Sequence, residues 1–278
     1  MKHFVRNTAA LGAVLMIVGF GMAIGAETMG AEWDHSWYWR EPVRAGRGWT
    51  EDWEDIPEGV DRGKADGTDS VLFSDTEDIS VSLGAGEIIW KTWDGDSIRV
   101  TCEDWENLEN RYQVYQENGE LVVRVRGRNE RKPKVEITVP RECLFSEVDI
   151  EVAAGSLQAE DMECVSLDVE LAAGNVDLTR SRADEAVFSC AAGEIRYEGK
   201  LAGGGEASCT AGSIELVLDQ KKTDLNYEID AAGGMISIDG MECSGIASRD
   251  SVSSGASSSL DLKAAAGSIL VEFKGDDV

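Results

Sequence analysis

Histidine is nearly missing from this chain of 278 residues: His3 and His35 are the only two, and proline occurs four times. Acid–base and nucleophilic catalysis near neutral pH most often rests on an imidazole. Both histidines precede the part of the chain that carries a folding pattern, so inventory excludes a Ser-His-Asp or Cys-His site there. Positive charge is also scarce. With 26 Lys and Arg against 53 Asp and Glu, the net charge is −27, and nucleic acid phosphates would be repelled rather than held. Six cysteines, at 102, 143, 164, 190, 209 and 243, lack the close pairing of a zinc site. No glycine-rich phosphate loop opens a helix. No cofactor is expected.

Long apolar runs are absent except for one. Lys2 and Arg6 precede a stretch from Thr8 to Ala26 without an ionisable side chain. Nineteen helical residues reach roughly 28 Å, enough for the hydrocarbon core of a bilayer. Residues 1–26 are therefore expected to be a transmembrane helix or a signal peptide, since Ala23-Ile24-Gly25 also offers a small-x-small cleavage pattern. Either fate places the rest of the chain outside the cytoplasm, at the cell membrane if the segment is retained or secreted if it is cleaved. No Cys near the end of the run offers an acylation site. Residues 27–70 mix acidic residues with Trp33, Trp37, Tyr38, Trp39, Trp49 and Trp53 and keep no period. They read as an acidic linker, or as an interfacial aromatic belt or a cap on the folded part.

From Val71 onward the period is two. Ile79, Val81 and Leu83 alternate with polar residues, Gly84-Ala85-Gly86 turns the chain, and Ile88 and Trp90 resume the alternation. Asn118-Gly119 supplies the positive φ angles of a tight hairpin between Tyr112–Gln116 and Leu121–Arg126. Val135, Ile137 and Val139 form a strand ended by Pro140.

The second half repeats. Gly155, Gly174, Gly193 and Gly212 stand 19 residues apart, each preceded by Ala and followed after one residue by an apolar side chain. Gly234, preferred over Gly233 because it keeps Ile229, Ala231, Ile236 and Ile238 in phase, and Gly267 extend the series. Gly86 fits the same columns. In this frame the residues five and three before each glycine, and two and four after it, point inward. The glycine supplies a backbone angle closed to other residues. A unit this short buries only one face and needs stacked neighbours. The expectation is an all-β fold, a single-stranded parallel β-solenoid of roughly 19-residue rungs in preference to an antiparallel sandwich. It runs from 71–145, the N-terminal part with the hairpin, into 146–275, with a Ser-rich surface loop at 244–259.

Two columns carry chemistry. Cys190 and Cys209 share an inward column, as small apolar residues or as a disulfide, and Met162-Glu163-Cys164 and Met241-Glu242-Cys243 recur in one phase. Six before the glycines stand Asp149, Asp168, Val187, Glu206, Glu228 and Asp261, with Glu151, Glu170 and Asp230 in the next outward column. This is a solvated acidic face, or a face for divalent cations or a cationic partner. Asp66-Gly67-Thr68-Asp69 and Asp94-Gly95-Asp96 are too short for Ca²⁺ loops.

The opening Val81-Ser82-Leu83-Gly84-Ala85-Gly86-Glu87-Ile88, the strand Val135-Glu136-Ile137-Thr138-Val139-Pro140 and the Ala-Gly repeats from Gly155 to Gly267 resemble a large family of bacterial putative-adhesin domains of unknown function. The resemblance covers Val71 to Phe273. It implies a β-repeat solenoid, often tethered by one N-terminal helix, in an envelope or envelope-stress setting. It brings no catalytic residues. The functional expectation is a non-enzymatic envelope adhesin or scaffold, held at the membrane through the N-terminal helix where that is uncleaved, that presents an acidic surface to a cationic envelope component or to a protein. The alternatives are an accessory envelope-stress sensor that binds cationic peptides, and a carboxylate-dependent glycan hydrolase.

Overall fold

A computed structural model describes residues 56–67, 69–103, 111–126, 133–244 and 248–275, all within the unit spanning 43–278. The membrane or signal segment and the aromatic cluster lie outside these residues. The N-terminal strands are β1 (Lys64–Ala65), β2 (Ser70–Phe73), β3 (Asp78–Leu83), β4 (Gly86–Trp93), β5 (Ile98–Cys102), β6 (Tyr112–Glu117), β7 (Glu120–Val125) and β8 (Lys134–Pro140). Then come β9 (Phe145–Val152), β10 (Gly155–Glu160), the long coiling strand β11 (Glu163–Cys209) and β12 (Ser213–Leu218). The chain ends with β13 (Leu225–Ala231), β14 (Met235–Ile238), β15 (Met241–Ser244), β16 (Ser248–Val252), β17 (Ser258–Ala264) and β18 (Ser268–Phe273). All are hydrogen-bonded into one 18-stranded sheet that curls on itself, a β-solenoid-like fold.

Stacking follows the repeat. β10 lies parallel to β11 with Gly155 opposite Gly174, β9 lies parallel to β11 with Asp149 opposite Asp168, and β11 lies parallel to β12 with Ile195 opposite Ile214. The glycines form a column along the axis. A Cβ on Gly174 would meet the carbonyl oxygen of Gly155 at 2.0 Å, one on Gly193 that of Gly174 at 2.4 Å, and one on Gly212 that of Gly193 at 2.4 Å. Gly267 and Gly234 continue it, a Cβ on the latter falling 2.5 Å from the Gly267 oxygen. Gly86, Gly155, Gly174 and Gly193 also have positive φ, but Gly212, Gly234 and Gly267 are not among the positive-φ residues. Close backbone approach, more than a special angle, is what requires glycine here.

Spatial order departs from chain order at both ends. β3 sits between β7 and β9, and β4 between β8 and β10, so the first glycine-bearing strand pair is flanked on both edges by strands that come later. Likewise β17 sits between β11 and β13, and β18 between β12 and β14. Moving along the axis, the glycines run 86, 155, 174, 193, 212, 267, 234. The ends are finished by antiparallel strands: β5 on β8 and β2 on β5, β6 on β7, β16 on β13 and β15 on β14. The fold is thus not parallel throughout. Reversed strands cover the backbone edges of the end rungs.

The core is filled by columns of matched side chains. Three before the glycines stand Leu83, Val152, Leu171, Cys190, Cys209, Ala264 and Ala231, a run that shrinks along the axis, all buried. Bulk in one rung is offset by a small residue in a neighbour: Trp90 lies opposite Ala159, and Phe188 stands one repeat before Ala207. Trp90 meets Phe145 edge-on at 5.6 Å, and Phe188 meets Tyr197 at 5.3 Å. A further inward column, seven before the glycines, holds Ile79, Val148, Leu167, Ala186, Leu260 and Tyr227. Extending the frame by two residues would have found it.

Three expectations need correction. The stretch 244–259 is not simply a surface loop, because β16 within it pairs antiparallel with β13. The linker stretch 27–70 contains structure near its end: Lys64 pairs with Leu72, and Asp61 bridges Gln116. The two Met-Glu-Cys copies are not equivalent. Met162 is 1% exposed but Met241 is 62% exposed, since β15 folds back at the end of the stack instead of passing beneath another rung.

Candidate functional site

Strands β3, β9, the repeats of β11, β17 and β13 present one outward face, and their parallel registers bring like residues together. Asp149 stands opposite Asp168 on one side and Ser80 on the other. Glu206 stands opposite Asp261, and Asp261 opposite Glu228, so Asp261 lies between two residues that precede it in the chain. Val187, 19 residues from both Asp168 and Glu206, interrupts the carboxylates. In the neighbouring column Glu151 faces Glu170, while Lys263 separates Ser208 from Asp230.

This crowding has an electrostatic signature. Burial, and then the carboxylates of Glu151, Asp168, Glu170 and Glu147, push the Asp149 carboxyl up from 3.8 to about 7. Burial and Glu228 also raise Asp261, against an opposing pull from Lys263, whose ammonium lies 2.8 Å from Glu206. A third row was missed by sequence reasoning. Glu120, Asp78 and Glu147 stand side by side on β7, β3 and β9, and Glu120 is raised by burial, Asp78 and Glu147. Asp78 and Glu147 each stand eight before a column glycine, which was the available signal. Glu120 has none, since β7 carries no such glycine.

On the face formed by β4, β8, β10, β12 and the stretches of β11 that lie beside β10 and β12, several acids are met by bases. Lys91 pairs with Glu136 at 2.7 Å, Arg196 with Glu215 at 2.6 Å, Lys274 with Glu198 at 2.5 Å, and Arg180 with Glu160 at 2.7 Å and Asp161 at 2.8 Å. The short acidic stretches noted in the sequence are likewise ion-paired, Asp66 with Arg99 and Asp94 with Arg141. Among the described residues no three His, Cys, Asp or Glu side chains are grouped to hold a metal ion. What the acidic face can do is take up protons, or attract a cationic surface that relieves its own repulsion.

A family match agrees with this architecture. The model of the Toastrack DUF4097 domain matches residues 76–277, and the chain belongs to that family. No curated protein matches it. Similar solved structures include a putative cell adhesion protein from Clostridium sporogenes, 12% identical over 72% of this chain and 94% of its own, with a TM-score of 0.34. A putative adhesin from Bacteroides fragilis is 14% identical over 73% and 94%, with a TM-score of 0.34. A putative lipid binding protein from Parabacteroides distasonis is 13% identical over 73% and 94%, with a TM-score of 0.31.

Proposed function

We propose that this chain is a non-enzymatic extracytoplasmic envelope protein. In this reading its solenoid, of about 19 residues per rung, is a rigid support that presents the acidic ladder to a cationic partner in adhesion or scaffolding. Residues 1–26 place it at the membrane or are removed on export. The observation that carries the reading is the stacking of like charge: Asp149 lies opposite Asp168 and Glu151 opposite Glu170 in successive rungs, and the crowding raises the Asp149 carboxyl. Stacked like charges cost stability, and a binding surface gives that cost a use. The full chain should bind polylysine-coated beads at low salt and release it as salt rises. The quadruple variant D149N/E151Q/D168N/E170Q should lose at least about tenfold in affinity, whereas E136Q/E215Q on the other face should lose little. Equal losses from the two variants would refute a face-specific role.

A further inference from the structure

We infer that Cys190 and Cys209 form a cross-rung disulfide that is made while the chain folds and is then sealed by its last two strands. The two residues occupy the same inward column of successive repeats, and the Thr210 N–H donates to the Cys190 carbonyl at 2.8 Å, which locks the two backbones in register. Both side chains point inward and are buried one rung apart, close enough for each thiol to perturb the other's titration. Neighbouring strands lie about 4.8 Å apart, within the Cα separation that disulfides span. Glycine makes the room for this. A Cβ on Gly212 would come within 2.7 Å of the Cys190 sulfur, and one on Gly267 within 2.4 Å of the Cys209 sulfur.

The cover over the two sulfurs assigns the roles. Cys209 is the outer of the pair until β17 and β18 are in place, with Ala264 opposite it and Gly267 against its sulfur, whereas Cys190 lies beneath the rung of Cys209. Cys209 is therefore the attacking thiolate. It opens a small-molecule disulfide, forming a mixed disulfide and releasing one thiol. Cys190 then gives up its proton and attacks the Cys209 sulfur, releasing the second thiol. One donor disulfide is reduced to two thiols and the protein dithiol is oxidised, so the exchange balances.

Access is the difficulty, because Cys190 is 2% and Cys209 1% exposed in the finished fold. The inverted order of the last rungs resolves it. What covers Cys209 is β17 and β18, with Ala264 opposite it and Gly267 against its sulfur. They are the last strands in the chain, and until they insert between β11–β12 and β13–β14 the sulfur lies open. The other four cysteines lack this arrangement; the Cys164 thiol, for example, donates to the Arg182 carbonyl at 3.9 Å.

The test uses the purified full chain, reduced and unfolded in urea, then refolded in glutathione buffers of stepped oxidised-to-reduced ratio. Thiols are alkylated under denaturing conditions, followed by intact mass and peptide mapping. The expected product has lost two of its six thiols and about 2 Da, with the bond mapped to Cys190 and Cys209. The same buffer added to folded, reduced protein should oxidise it at least about tenfold more slowly. C190S should retain a glutathione adduct on Cys209, whereas C209S should take up much less. Six thiols at every ratio, or a bond between other cysteines, would overturn the pairing; equal rates for folding and folded chains would overturn the sealing. Should either variant fail to fold, the wild-type titration and rate comparison still decide.

Discussion

Asp149→Asn should make this protein more stable at neutral and alkaline pH, and leave it nearly unchanged in mild acid. The carboxyl is half-buried among Glu147, Glu151, Asp168 and Glu170 and titrates near 7 rather than 3.8. An acid raised on folding contributes stability that is whole below its unfolded value and is lost as pH rises through its folded one. The penalty therefore grows between about pH 4 and 7 and is complete above. A displacement of about three units would be worth ~4 kcal/mol for a fully shielded group. Asp149 is partly open to solvent, and screening reduces this to ~1–2 kcal/mol. In a body of roughly 200 residues that is about 2–8 °C in melting temperature. Thermal unfolding of the full chain and the variant, followed by circular dichroism from pH 4 to pH 8.5, reads the difference directly. The midpoints should coincide near pH 4 and separate as pH rises, with the gap narrowing in high salt. A gap independent of pH, or a wild type more stable at pH 8, would refute the electrostatic account of this face.

Four further outcomes follow from the packing. Gly174→Ala should cost roughly 3 kcal/mol or more, since its Cβ would sit 2.0 Å from a backbone oxygen at positive φ. Gly119→Ala, whose added Cβ would meet nothing nearer than Glu77 at 4.0 Å among the described residues, should cost about 1 kcal/mol, and urea titration of the pair separates stacking from turn strain. Phe188→Ala should lose ~3–5 kcal/mol in the same assay, because the ring is fully buried beside Tyr197. Deleting residues 258–278 removes the strands that lie between β11–β12 and β13–β14. The truncated chain should associate through the exposed edges, seen as a shift to larger species in size-exclusion chromatography. An unchanged monomer-sized elution would contradict the inserted position of β17 and β18.

The acidic residues show where the reading of sequence ran short. Asp149 and Asp168 were in one column from the start, since both lie six before a glycine of the regular series. The rise of the Asp149 carboxyl depended first on how deeply the face is buried and then on Glu151 and Asp168, and no spacing records that burial. Lys263 was singled out by no spacing in the sequence. It compensates Glu206 only because β17 inserts beside β11. Met241 shared the phase of Met162 but not its burial, because the strand that carries it reverses.

By itself the sequence determined the kind of contact: a recurring glycine with apolar residues at fixed offsets, because every rung must offer the same thin corner and the same inward columns to its neighbours. That same uniformity is why it could not determine order. A rung that fits one neighbour fits nearly any other, so the pattern is silent on which lies next to which. Only the folded chain decided that β4 would be enclosed by β8 and β10, that Gly267 would slip between Gly212 and Gly234, and that reversed strands would close the ends. From that placement come the acidic row of Glu120, Asp78 and Glu147 and the cover over Cys209.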